Sequence, residues 1–126
     1  MTDQEILDRV GRFIAKIRDD SIDEWDRTLA GKMLADDAQE IFSRVRSFSP
    51  EQMETLRWLL PQVVDSVLYD VLFAIESNEE FRLVARTGED CRDIAKISDG
   101  LATELQTKDG WIVRFSRARK TTEWAR

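Results

Sequence analysis

Two acidic pairs are the residues best spaced for chemistry. Glu76-x-x-Glu79 and Asp90-x-x-Asp93 place carboxylates three residues apart, and hard Mg²⁺ takes oxygen ligands. Carboxylate–metal chemistry is the one catalytic route worth testing in this chain. There is no histidine, which removes Ser-His-Asp and Cys-His nucleophile systems, His-ligated metals and the commonest general base near neutral pH. Cys91 is the only cysteine, so no intrachain disulfide forms. With no histidine to activate it, the thiol reads as inert. The turns SDG (98–100) and KDG (108–110) lack the spacing of a phosphate loop. Solvated helix-end acids are the preferred reading of both pairs, so the sequence assigns no catalytic residue, metal or cofactor.

A second constellation lies in WLLPQVVDSVLYDVLFAIE (58–76). Trp58, Gln62, Asp65, Tyr69, Phe73 and Glu76 recur every three or four residues and share one helix face. Leu60, Val64, Val67, Leu68, Val71 and Ile75 make the other side, expected to be core. The first face has two main readings. It is a second core face, with its aromatics beneath the C-terminal WIVRFSR segment and Asp65 or Glu76 paired to an arginine. Or it docks a basic partner, with aromatics as anchors and acids for steering; the six residues are then the partner-binding set. A small-molecule groove is a third use.

The elements that position these residues are mainly helical. The chain has 126 residues, 42% hydrophobic and 35% charged, which fits one soluble domain able to bury a core. With Gly (5) and Pro (2) scarce, a many-turned β fold is disfavoured. Thr2 and Glu5 form a capping box before Ile6, Leu7, Val10, Phe13, Ile14 and Ile17, and Asp19-Asp20-Ser21 is expected to end that helix. Trp25 and Leu29 suggest a further turn or two, broken near Gly31. Leu34, Ala38, Ile41, Phe42 and Val45 make a second amphipathic helix. Ser49, Pro50 and Gln52 open a long central helix to residue 77, kinked or restarted at Pro61.

After Asn78, FRLVAR (81–86), TGED (87–90) and CRDI (91–94) read as a small β-hairpin, with a continued helix as the rival. A short helix follows from Ser98 through Leu101 and Leu105. WIVRFS (111–116) reads as extended, with Trp111, Val113 and Phe115 on one face. The expected fold is a single-domain helical bundle over 1–116 around the kinked helix. A basic, mobile tail is expected over 117–126.

The net charge is −6, unevenly spread. Residues 111–126 hold Arg114, Arg117, Arg119, Lys120 and Arg126 against Glu123, a balance of +4, which leaves −10 on residues 1–110. An acidic body repels nucleic acid and attracts basic proteins. The tail either binds an anion or, preferably, folds back on the body. No leader and no apolar run of transmembrane length is evident, so a cytoplasmic protein with no membrane partner is expected.

The acidic pairs resemble those of all-α nucleotide pyrophosphohydrolases, which implies a carboxylate-Mg²⁺ nucleotide hydrolase. In that family the second pair is E-x-x-D on a helix, whereas here a Thr87-Gly88 turn precedes an aspartate. The segment SDGLATELQTKDGWIVRFSR (98–117) resembles the ending of an uncharacterised, mostly helical family of small bacterial proteins. As a class, small acidic helical proteins with surface aromatics also include toxin-neutralising immunity proteins, which the chain resembles. The expectation is a non-catalytic acidic protein-binding domain, immunity- or antitoxin-like, that docks a basic partner. The rivals are the hydrolase and a structural or regulatory homodimer joined through the aromatic stripe.

Overall fold

Local signals start both long helices. In the computed structural model, which describes residues 1–119, the Glu5 amide donates to Thr2 Oγ1 at 3.1 Å and the Thr2 amide donates to Glu5 Oε2 at 3.0 Å. Ser49 and Gln52 repeat the exchange at 3.1 and 2.9 Å. Each box satisfies amides that a helix start leaves unpaired. They open α1 (Asp3–Leu29) and α3 (Pro50–Glu76). Between them lies α2 (Asp36–Val45). The hairpin β1 (Val84–Thr87) and β2 (Asp90–Asp93) is antiparallel, with Val84 opposite Asp93 and Thr87 opposite Asp90. Three short helices close the chain: α4 (Ile94–Ile97), α5 (Leu101–Gln106) and α6 (Trp111–Phe115). The fold is mainly α, with one small hairpin after the central helix.

α1 and α3 run antiparallel, since Arg18 meets Asp65 while Asp26 meets Arg57. The core gathers at one end of this pair. Ile6 and Leu7 of α1, Leu72 of α3, and Ile94, Leu101, Leu105, Trp111 and Ile112 of the closing helices are all buried together. α6 packs on α1, α5 packs on α3, and α2 lies against α1. Gly11 permits the closest approach. A Cβ there would lie 2.6 Å from Trp111 Nε1 and 2.7 Å from Cγ, so the indole rests directly on the α1 backbone.

Several expectations are corrected. α1 does not end at Asp19-Asp20-Ser21; it continues to Leu29. The acids there find partners: Lys16 bonds Asp20 at 2.6 Å, and Asp19 accepts the Arg117 amide at 2.8 Å and the Ala118 amide at 3.1 Å. Ile22 carries the buried stripe onward. Leu34 lies outside α2 and is exposed. WIVRF is a helix, not an extended segment, burying Trp111 and Ile112 while Val113 and Phe115 are half-buried. Five residues are too few to separate a period of two from one of 3.6, and packing on α1 decides. Of the two readings of the central helix, the single one holds: α3 continues through a buried Pro61 without a restart.

The first residues of the expected tail are held against the body. Arg119 pairs with Asp26 and donates to the Arg57 carbonyl at 2.8 Å. Arg114 bonds Asp8 at 2.8 Å. Residues 120–126, with Lys120 and Arg126, lie outside the described residues.

Candidate functional site

The aromatic–acidic stripe does not form one surface. Asp65 is 1% exposed and accepts from Arg18 Nε at 2.5 Å and Nη2 at 3.3 Å. Glu76 is half-buried and accepts the Leu101 and Ala102 amides at 3.0 and 3.2 Å. It thereby caps α5, whose own N-cap, Gly100, has no side chain to do so. Gln62 and Tyr69 are half-buried, while Trp58 and Phe73 are about half exposed. Tyr69 and Phe73 stack with ring centroids 6.2 Å apart. An acid of this face does pair with an arginine, but the arginine comes from α1, not from the C-terminal segment.

Arg18 is the residue that sequence reasoning missed. A signal was present: it falls in phase with Leu7, Gly11, Ala15 and Ile22, the buried stripe of α1. An arginine inside a core stripe requires a buried acceptor. It also donates to Ser116 Oγ at 2.6 Å and to the Arg119 carbonyl. One guanidinium thus joins α1, α3 and the C-terminal segment.

The two acidic pairs are largely occupied by the fold. Glu76, Glu79 and Asp93 border one open cleft of about 550 Å³, with Arg82 and Lys96. Asp93 accepts from Arg82 at 2.8 and 3.1 Å and caps α4 through the Ala95 amide. Asp90 is paired with Arg92 at 2.7 Å. Among the described residues no three His, Cys, Asp or Glu side chains gather as a metal-binding group.

The Arg82 hydrogen bond, against some desolvation, holds the Asp93 carboxyl below its ordinary 3.8. A folded-state value below the unfolded one means this contribution is present above the unfolded pKa. It is lost as pH falls through the folded one. In Arg82→Met, an NMR titration of the Asp93 carboxyl carbon should move up toward 3.8. An unmoved titration would show that the pair does not set it.

Part of the face expected to be core is open instead: Leu68 and Ile75 pack against the core and Leu60 and Val64 are half-buried, but Val67 and Val71 are not covered. Val67 is 56% exposed and Val71 51%; with Leu59 and Val63 they step by four along the outer side of α3. The buried side runs through Pro61, Asp65 and Leu72. On α1, Phe13 (64% exposed) and Ile17 (43%) also leave the expected core stripe. The antiparallel pairing of Arg18 with Asp65 and Asp26 with Arg57 sets Phe13 level with Asp70 along the helix pair. A further correction follows, because α3 is by length and composition apolar enough to cross a membrane. Its buried Asp65 and packed α5 side make it equally a core helix with one face uncovered.

Searched against family models, curated proteins and solved structures, the chain matches none.

Proposed function

We propose that this chain is a non-catalytic protein-binding domain that docks a partner through the outer face of α3 and the adjoining edge of α1. The observation that carries the reading is the run Leu59, Val63, Val67 and Val71, exposed on one helix side. Contiguous apolar surface beyond a few hundred Å² marks interaction sites on soluble proteins. Three of the four carboxylates of the hydrolase reading, Glu76, Asp90 and Asp93, are engaged in capping or arginine pairs, which favours binding over catalysis. The acidic exterior supports a basic protein over nucleic acid as a further partner, and an immunity- or antitoxin-like role is the concrete form of that idea. Trp58 and Phe73 are also about half exposed, on the side of α3 away from the run.

Thermal melts of dilute, monomeric protein test the assignment. Val67→Ala and Phe73→Ala should each cost no more than about 0.5 kcal/mol, as surface changes do. Leu72→Ala, at a buried site, should cost about 2–5 kcal/mol. If Val67→Ala destabilised as much as Leu72→Ala, the face would be core and the reading would fail. Mg²⁺-dependent nucleotide turnover that Glu79→Gln abolishes would replace it with the hydrolase.

A further inference from the structure

We infer that the exposed α1–α3 face is covered by a second copy of this chain, in an isologous dimer that closes two helical hairpins into a four-helix bundle. The inference rests on the reading of that face as a docking surface and names its occupant.

The pattern of α3 supports self-association. Leu56, Leu60, Val63, Val67 and Ala74 follow a heptad spacing on the outer side, with Asp70 at one of the repeat positions. A seam of this kind packs against another helix, and among the described residues no element covers Val63, Val67 or Val71. Its positions Leu60, Val63 and Val67 carry no charge, as suits an interface core, and Asp70 is its one charged position. A basic protein would meet only Asp70 there.

The area also fits. At their exposed fractions, Phe13, Ile17, Leu59, Val63, Val67 and Val71 present roughly 500 Å² of surface, which a polar rim would bring toward the roughly 800 Å² per partner of a standard interface. The rim is self-complementary. A twofold axis parallel to the helices lays α1 of one copy antiparallel over α3 of the other. Asp70 then faces the turn around Phe13 of the second copy, between Arg9 and Lys16. Helices that lie on lipid carry a basic polar face. The exposed charges of α3 are Arg57 against Glu51, Glu54 and Asp70, which disfavours a membrane as the occupant.

Sedimentation velocity of the full chain across the micromolar range is the test. A dimer is expected, and it should tighten as salt rises, because two copies of −6 each repel and salt screens that repulsion. Val67→Glu should raise the dissociation constant about 100-fold or more, as burying an unpaired charge does. Its dilute melt should match that of the dilute wild type. A dimer that Val67→Glu leaves intact overturns the inference. A wild type monomeric at every concentration and salt, whose melt Val67→Glu does not move, overturns the second copy and leaves the docking surface standing. A monomer that Val67→Glu unfolds overturns both. Co-sedimentation of the monomer with phosphatidylcholine vesicles assigns the face to lipid and also overturns the second copy.

Discussion

Arg18→Met is expected to cost about 3–5 kcal/mol of folding stability, the range for removing one partner of a buried ion pair. Both side chains are out of solvent, at 0% for Arg18 and 2% for Asp65. The loss has two parts. The Asp65 carboxylate stays buried without its guanidinium, and the C-terminal segment loses the donor that holds Ser116 and the Arg119 carbonyl. Asp65→Leu should cost less, because Arg18 keeps Ser116 and lies 3.7 Å from Asp19. The double variant should recover most of the loss, since apolar replacements of a buried pair are often neutral. Equilibrium urea unfolding measures all three. An unchanged slope identifies the change as one of stability alone. A cost below about 1 kcal/mol for Arg18→Met would mean the pair contributes no more than an exposed one.

Gly11 and Trp111 give the second large effect, and here the sign depends on background. Trp111→Ala removes a wholly buried ring and should cost about 3–5 kcal/mol. Gly11→Ala brings two opposed terms. Alanine in a helix interior gains about 1 kcal/mol over glycine. Its methyl group, however, would overlap the indole, and overpacking typically costs about 1–3 kcal/mol or more. The ring has no free side on which to give way, so a net loss is expected. In a Trp111→Ala background the overlap is gone, and the same Gly11→Ala change should stabilise by up to about 1 kcal/mol. That reversal is a coupling between touching residues, read from a double-mutant cycle. Equal effects of Gly11→Ala in both backgrounds would show that the indole does not rest on α1. Trp111 has a further peculiarity: among the described residues its buried indole N–H finds no hydrogen-bond partner. An orphan donor of this kind costs about 1–3 kcal/mol, which the packing of the ring must offset.

What the sequence determined by itself is what depends on neighbours along the chain. Thr2 with Glu5, and Ser49 with Gln52, sit three residues apart, so their capping boxes are readable without knowing the fold. The Thr87–Asp90 turn is equally local: Gly88 adopts a positive φ of 65° there, a conformation open to glycine. The short helix after Gly100 was legible too, although its cap was not. Glu76 reaches it across 25 residues.

Tertiary structure decided which way the long helices face. α3 is apolar around most of its circumference, so periodicity alone cannot say which side is buried. Arg18 decides it. A guanidinium in the core stripe of α1 needs an acceptor, and Asp65 provides one only if that side of α3 turns inward. The turn carries Val67 and Val71 out to solvent and draws Trp58 and Phe73 to the edge. The same contacts extend α1 through Asp19-Asp20-Ser21, where the residues alone read as a stop. Asp19 is held by amides from residues 117 and 118, nearly a whole chain away. A charge reads as solvated or buried only once its partner is known, and here the partners lie 47 and 98 residues distant.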